Sequence, residues 1–282
     1  MHIYNITPSS IEMIHLFCHH RPSTRPAFTT HIKKDKKAAI SADRKLKSII
    51  RVYTDGSAID GKVGAAAYLY REDRVGEEPK KLFYHLGSVH DHTVFEAEAV
   101  GLTLVAELIR RESVDICQLT SISLDNQAAI AATDLRRPKS GYHILDTFNA
   151  QVDHLQDTRG GAYKLQLHWV PRHEDVARNE AVDKAAKQAA KGKTSLRIRL
   201  PEYLQNGSLP ASISARRQAH QDALLECWKK EWEASPRHAR ISKYDPSLPS
   251  KSYLRRVKTF TRTQASLFIQ LRTGHIPLQQ HL

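Results

Sequence analysis

The stretch Ile49-Ile50-Arg51-Val52-Tyr53-Thr54-Asp55 is rich in β-branched and aromatic residues and leads into Asp55-Gly56-Ser57. These residues are typical of a strand, and Asp-Gly-Ser is typical of a turn, so we predict a strand that ends at Asp55. Asp60-Gly61 predicts a second turn. Residues 64–70 and 81–87 then have the composition of two further strands, and together the three strands predict an antiparallel meander.

Beyond the meander, helical and strand patterns alternate. Residues 94–111 carry apolar side chains at a helical repeat that only Gly101 interrupts, and residues 119–125 alternate as a strand that ends at Asp125. The same criteria predict helices at 127–135, 142–155 and 179–191, and a strand at 163–170. This order predicts an α/β fold in which a five-stranded mixed sheet is flanked by helices.

The two ends of the chain differ from this middle segment. Residues 1–48 show no sustained period, and we predict a basic, loosely ordered leader. Residues 49–192 form the predicted α/β domain. Past residue 193 the strand pattern fades, and residues 193–282 predict a separate basic, mainly helical region.

The formal net charge of +13 is divided unevenly along the chain. It is +6 over residues 1–50, −4 over residues 51–190 and +11 over residues 191–282. Basic flanks suit a polyanion such as nucleic acid, but a solvated basic surface is common, so charge alone does not decide the partner.

Cysteines and apolar runs limit the class of protein. Cys18, Cys117 and Cys227 are far apart, which argues against a disulfide framework and against paired metal ligands. We expect a reducing compartment, in the nucleus or cytoplasm. There is no apolar run long enough to span a membrane and no secretory signal pattern, so we expect neither membrane insertion nor secretion.

Four acids of the middle segment occupy unusual places. Asp55 and Asp125 are predicted to end strands, whereas Glu98 and Asp183 lie in the first turns of predicted helices. Each has an ordinary explanation, because Asp often forms turns and acids stabilise helix N-termini. Gathered in one pocket, however, they would repel one another and bind hard cations such as Mg²⁺ or Mn²⁺. Two such ions about 4 Å apart can support phosphoryl transfer.

Four motifs resemble those of ribonuclease H. They are Tyr53-Thr54-Asp55-Gly56-Ser57, Ala97-Glu98-Ala99, Ser123-Leu124-Asp125-Asn126-Gln127, and Trp169-Val170-Pro171-Arg172-His173 with Asn179-Glu180-Ala181-Val182-Asp183. Their order and spacing match over residues 49–192, about half of the chain. The variant is most similar to the domain attached to reverse transcriptases of fungal non-LTR retrotransposons. The segment from Arg272 to Leu282 is more loosely similar to the region C-terminal to that domain, which suggests a fragment of a retroelement polyprotein.

The resemblance implies an endoribonuclease that uses two Mg²⁺ ions, or Mn²⁺, to hydrolyse the RNA strand of an RNA–DNA hybrid. It implies that Asp55 bridges both ions, that Glu98 and Asp125 hold one, and that Asp183 holds the other. His173 would assist proton transfer or product departure. The implied substrate contacts are Gly56, Ser57, Asn126, Gln127 and Asn179, with the RNA identified through its 2′-hydroxyls.

Two positions depart from this assignment or compete with it. Glu96 competes with Glu98, and because residues two apart on a helix face different ways, only one can enter the site. We favour Glu98. Arg172 and Arg178 stand where the family usually has glycine, and a positive φ at either position would strain the loop by roughly 1–2 kcal/mol.

Two other functions compete with hybrid cleavage. One is a catalytically inactive, nucleic-acid-binding remnant of a retroelement polyprotein, held to its ligand by the basic flanks. The other is a related metal nuclease or integrase of the same fold. The intact set of acids argues against the remnant, and the Asp-Gly-Ser and Trp-Val-Pro-x-His contexts favour ribonuclease H over the integrase.

Overall fold

The computed structural model describes residues 10–14, 28–74, 76–112, 119–134, 139–160, 163–172, 176–243, 245–250 and 252–273. The chain divides into two compact units, Met1–Arg216 and Arg217–Leu282.

The first unit contains a six-stranded sheet with the strand order β1-β6-β5-β2-β3-β4. The strands are β1 (Thr29–His31), β2 (Ile50–Ile59), β3 (Lys62–Arg71), β4 (Lys80–Ser88), β5 (Thr120–Leu124) and β6 (Leu165–Trp169). Strands β2, β3 and β4 are antiparallel neighbours. Strands β1, β6, β5 and β2 pair in parallel. The predicted mixed sheet is confirmed, but the predicted number of five strands is wrong because β1 adds a sixth.

Five helices accompany the sheet in sequence: α1 (Lys36–Arg44), α2 (Val94–Arg110), α3 (Gln127–Asp134), α4 (Tyr142–Arg159) and α5 (Ala177–Ala190). Helices α6 (Ile213–Ala234), α7 (His238–Ile241), α8 (Ser252–Val257) and α9 (Arg262–Thr273) come after them, as expected of a helical C-terminal region. Among the described residues, no helix has the length and apolarity needed to cross a membrane. Cys227 is exposed, and Cys18 and Cys117 lie outside the described residues.

Residues 29–44, which we expected to be loosely ordered, form β1 and α1. Asp35 caps α1, because its side chain accepts a hydrogen bond from the backbone nitrogen of Ala38 at 2.8 Å. Strand β1 pairs in register with β6, with Thr29 opposite Gln166. Phe28 then packs on Phe148 of α4, with ring centroids 5.7 Å apart.

The compact unit also continues past the predicted boundary at residue 192. The backbone nitrogen of Ser195 donates to the carbonyl of Phe83 on β4 at 2.9 Å. The hydroxyls of Thr103 and Tyr203 lie 2.8 Å apart, which joins this segment to α2. The first unit therefore includes residues on both sides of the predicted domain.

Glu12 joins three separate segments of the first unit. Its carboxylate accepts hydrogen bonds from the backbone nitrogens of Gly141 at 2.7 Å and Ile213 at 2.8 Å, and from the hydroxyl of Ser140. The backbone nitrogen of Glu12 also donates to the carbonyl of Ala211 at 2.9 Å. A segment near the N-terminus is thus tied to the start of α4 and to the start of α6.

The core lies on both faces of the sheet. Leu102 and Leu104 of α2 and Phe148 of α4 belong to the cluster on one face. Val182 and Ala185 of α5 pack with residues of the other face, including Tyr53 and Ala66. Side chains alternate along a strand, so Asp55 shares the face of Tyr53 and is directed toward the side on which α5 packs.

Candidate metal centre

Asp55 lies inside β2 and not at its end. The strand continues to Ile59 in antiparallel pairing with β3, where Asp55 is opposite Ala66. The turn predicted at Asp-Gly-Ser is therefore wrong, and the chain turns at Asp60-Gly61. Parallel pairing of β2 with β5 stops at Tyr53 and Ser123. Asp55 thus lies just beyond the last paired residue of β2, at the end of β5 that Asp125 follows.

Glycines allow α2 to lie directly on β2. A Cβ atom on Gly56 would lie 2.6 Å from the backbone nitrogen of Glu98, and one on Gly101 would lie 2.2 Å from Oγ1 of Thr54. Neither distance is sterically possible without a shift. Gly56 was singled out as a substrate contact, which stays a prediction, but its packing role is evident from the structure.

The two competing glutamates of α2 make different contacts. Glu96 forms a capping box with Thr93: its Oε2 accepts from the Thr93 backbone nitrogen at 2.7 Å, and its own backbone nitrogen donates to Oγ1 of Thr93 at 3.2 Å. Glu98 lies with Asp55 and Asp125. Glu96 therefore stabilises the start of the helix, while Glu98 enters the cluster.

The carboxylates of Asp55, Glu98 and Asp125 form one group, which we call the acidic trio. One oxygen from each lies within 4.8 Å of the other two. The exposed fraction is 1 % for Asp55 and 3 % for Glu98. Within the described residues, both oxygens of Asp55 and Oε2 of Glu98 are buried without a hydrogen bond of normal geometry. Buried anionic oxygens without partners are unfavourable, and oxygen ligands in this arrangement fit a hard divalent cation.

The acidity of the trio reflects this crowding. Burial, and then repulsion from Asp125, raises the pKa of Asp55 to about 8, against a partial offset from Arg172. Burial and repulsion from Asp55 also raise the pKa of Glu98 well above its usual value, although hydrogen bonds from Asn126 and the Gly56 backbone oppose the change. Without a cation, these two acids retain protons at neutral pH.

The fourth acid, Asp183 of α5, has cationic partners. Its Oδ2 accepts from Nζ of Lys187 at 2.6 Å, and its Oδ1 lies 3.4 Å from Nη2 of Arg172. Burial alone raises the pKa of Asp183, but Lys187 and Arg172 outweigh burial and leave the pKa below its usual value. Asp183 is close enough to repel Asp55, yet it is not part of the trio.

Arg172 bridges two of the acids, because its Nε also lies 3.3 Å from Oδ2 of Asp125. The sequence drew attention to Arg172 and Arg178 only as sources of backbone strain. That expectation is wrong: over the described ranges, Asp60 is the one non-glycine residue with a positive φ. The contact between Lys187 and Asp183 was missed, although their spacing of four residues on a helix is the signal that could have found it.

The remaining predicted site residues occupy varied surroundings. Asn126 accepts from the Ala129 backbone nitrogen at 3.1 Å and also hydrogen-bonds to Glu98. Gln127 is exposed at the start of α3, whereas Ser57 and Asn179 are buried. His173 lies outside the described residues.

Trp169 is a further residue that supports the site. Its indole Nε1 donates to the backbone carbonyl of Asp125 at 3.0 Å, which fixes the chain where β5 ends. The Trp-Val-Pro motif contained this residue, but its partner could not be read from the sequence.

Comparison with known proteins gives a family match for this region. A family model described as RNase H matches residues 47–191. No curated protein matches the chain. Similar solved structures include RNase H1 from the halophilic archaeon Halobacterium salinarum NRC-1, which is 18% identical, with a TM-score of 0.38, over 51% of this chain and 98% of that chain.

Two other solved structures have the same level of similarity. The N-terminal RNase H domain of rv2228c from Mycobacterium tuberculosis, fused to maltose binding protein, is 18% identical with a TM-score of 0.37. LC11-RNase H1 in complex with an RNA/DNA hybrid is also 18% identical with a TM-score of 0.37. Each match covers 50% of this chain and 98% of the other chain. These scores are too low to carry an argument about function.

Proposed function

Because this chain belongs to the RNase H family, we propose that its first unit hydrolyses the RNA strand of RNA–DNA hybrids. The observation that supports this most strongly is the acidic trio, whose oxygens come from β2, α2 and the end of β5 yet lie within 4.8 Å of one another. Burying such a group is unfavourable, and a domain that only binds nucleic acid has no need of it. A cation-dependent hydrolase does need it.

Asp55, Glu98 and Asp125 would hold a divalent cation, Mg²⁺ or Mn²⁺, since such ions prefer carboxylate oxygens. When bound, the ion supplies an activated water and stabilises charge on the leaving oxygen. Asp183 completes the set of four acids that the resemblance implies, for which a second ion was expected. At present its partners are Lys187 and Arg172.

Other residues would orient the ligands. Trp169 holds the backbone carbonyl of Asp125, and the Asn126 side chain hydrogen-bonds to Glu98. Such partners of metal ligands fix their direction and strengthen binding of the ion. Because Asp55 and Glu98 keep protons when no ion is bound, binding of the ion releases protons and strengthens as pH rises.

The substrate contacts remain those implied by the resemblance. We propose that the hybrid contacts Gly56, Ser57, Asn126, Gln127 and Asn179. In this proposal the RNA strand is recognised through its 2′-hydroxyls, which DNA lacks. His173, whose ordinary pKa suits proton exchange near neutrality, would assist proton transfer.

We also propose that the chain derives from a non-LTR retrotransposon of the fungal type, where such a domain accompanies a reverse transcriptase. The Trp169-Val170-Pro171 context and the basic segment from Arg272 support this origin. Sequencing the genomic DNA on the 5′ side of the coding region tests it. An adjoining reading frame with polymerase motifs supports the proposal, and an unrelated single-copy gene counts against it.

A labelled RNA–DNA hybrid, incubated with the full chain and Mg²⁺, tests the hydrolase directly. We expect the RNA strand to be cut, the DNA strand and duplex DNA to stay intact, and cutting to stop when EDTA is added. Asp55→Asn should lower the rate by about 1000-fold or more, as for other residues that act as a unit. Equal cleavage by this variant would contradict the proposal.

The inactive remnant is the second candidate, and one observation favours it: the Arg172 guanidinium already lies against Asp125 and Asp183. Such a remnant would bind the hybrid in the presence of Mg²⁺ and leave it uncut. Binding measured on the same labelled hybrid therefore separates the two functions, because tight binding without cleavage supports only the remnant.

A further inference from the structure

We infer that the guanidinium of Arg172 occupies the place of a second cation, so that the protein without substrate binds one divalent ion and not two. This inference rests on the proposed function, since it concerns the same four acids. It assigns to Arg172 a control over how many ions the site accepts.

The geometry supports this assignment at two atoms. Nε of Arg172 lies 3.3 Å from Oδ2 of Asp125, and Nη2 lies 3.4 Å from Oδ1 of Asp183. The guanidinium therefore stands between an acid of the trio and the one acid that the trio leaves out. A second ion shared by Asp125 and Asp183 would need the same two oxygens.

The other oxygen of Asp183 is also in use. Oδ2 of Asp183 lies 2.6 Å from Nζ of Lys187, four residues further along α5. Both oxygens of this carboxylate thus face protein cations. Asp55 and Glu98, by contrast, retain buried oxygens without normal hydrogen bonds, so the trio is where a resident ion is still needed.

The balance of charge leads to the same count. With all four acids ionised the site carries four negative charges, and Arg172 and Lys187 contribute two positive ones. One divalent ion in the trio neutralises the remainder. A second ion would leave an excess of positive charge in a largely buried site, which is unfavourable unless an anionic group accompanies it.

Arg172 can hold this position at any pH at which the protein is folded, because a guanidinium does not lose its proton. Its side chain is 51% exposed, so it can leave without disrupting the core. Removing the side chain should therefore open the second position without unfolding the protein.

Mn²⁺ binding measured by electron paramagnetic resonance tests the inference without reference to catalysis. The full chain is titrated with Mn²⁺, and bound ions are counted from the loss of the free-ion signal. We expect one bound ion for the wild type and two for Arg172→Ala. Two ions about 4 Å apart should also broaden the bound signal by mutual magnetic interaction.

Three controls locate the ions. Arg178→Ala removes a nearby arginine whose partner is Glu72, so it should still bind one ion. Adding Asp183→Asn to Arg172→Ala should return the count to one. Asp55→Asn should bind none in the site. If Arg172→Ala does not fold, as judged by circular dichroism, Arg172→Gln replaces it with a neutral side chain and the same expected count.

The outcomes separate this inference from the proposed function. Two ions in the wild type, or one ion in every folded Arg172 variant, would overturn the inference and leave the hydrolase proposal standing. Undiminished Mn²⁺ binding by Asp55→Asn, or no binding by the wild type, would overturn the metal centre and the inference with it.

Discussion

Oε2 of Glu96 lies 2.7 Å from the backbone nitrogen of Thr93, and this contact completes the capping box of α2. Glu98, two residues further along the helix, joins the acidic trio instead. The two glutamates therefore serve the stability of the helix and the chemistry of the site separately. Alanine at each position should reveal this division.

We expect Glu98→Ala to abolish hybrid cleavage and weaken Mn²⁺ binding with little loss of stability, because it removes a buried acid without adequate partners. Glu96→Ala should keep cleavage but lower the free energy of unfolding by about 1 kcal/mol, as is typical when a cap is lost. Cleavage assays and urea unfolding measure both effects. Equal loss of cleavage at the two positions, or a greater loss at Glu96, would show that the assignment is wrong.

The raised pKa of Asp55 makes a prediction about pH and stability. In the folded protein this acid keeps its proton up to a pH of about 8, whereas its ordinary pKa is 3.8. Between these values the folded state binds more protons than the unfolded chain, so the free energy of unfolding decreases as pH rises. Each pH unit within this window contributes at most about 1.4 kcal/mol.

Asp55→Asn removes this dependence. In EDTA, its stability relative to wild type should therefore increase from about pH 4 to about pH 8 and stay constant above that. Added Mn²⁺ should stabilise the wild type more than the variant, since it binds only the folded site. Urea unfolding across this range measures the difference, and parallel curves for the two proteins would contradict the prediction.

Glu12 predicts the opposite dependence. Burial favours its neutral form, but hydrogen bonds from His143, Ser140, and the backbone of Gly141 and Ile213 prevail and lower the pKa of Glu12 to about 2. Its contribution is therefore complete above its ordinary pKa of 4.5 and is lost as pH falls from there toward 2. Glu12→Gln should cost roughly 1–3 kcal/mol at neutral pH and show a shallower acid transition. An unchanged acid transition would refute this account.

Gly56 should tolerate no side chain. The Cβ of Gly56→Ala would lie 2.6 Å from the nitrogen of Glu98 and 2.8 Å from the carbonyl carbon of Ala97, and helix backbone cannot give way locally. We expect a loss of about 1–3 kcal/mol in the free energy of unfolding, together with weaker Mn²⁺ binding as Glu98 is displaced.

The matched control for Gly56 is Gly160→Ala. Gly160 has a φ of +80° and open space around it, so its substitution strains only the local backbone. It should lower stability by about 1 kcal/mol and leave Mn²⁺ binding unchanged. Similar Mn²⁺ affinities for Gly56→Ala and the wild type would show that the close approach of α2 does not position Glu98.

Much of the fold could be predicted because its elements are long and strongly patterned. The meander, α2 and the strand before Asp125 all carry periods that local sequence reveals. Strand β1 has three residues, too few to show a period, and it exists because β6 offers it a partner. The Asp35 cap did mark the start of α1, but the surrounding lysines suggested a solvated run instead.

The site shows the same limit at the level of side chains. The motifs identified Asp55, Glu98 and Asp125 together, because a resemblance carries the spatial arrangement of its family. The contacts of Arg172 could not be foreseen, because this residue departs from the family pattern and its partners are brought together only by folding. Asp55 was expected at a strand end, since Asp-Gly-Ser is typical of a turn, yet pairing with β3 extends the strand through it.

The pairing of β1 with β6 has a consequence for anyone who trims this protein to its family match. A fragment of residues 47–191 would lack β1 and would leave the outer side of β6 with backbone donors and acceptors that have no partners. An open strand of this kind invites edge-to-edge association with other copies. The unit that resists aggregation and limited proteolysis should accordingly be the larger piece, which begins upstream of Glu12 and extends to about Arg216.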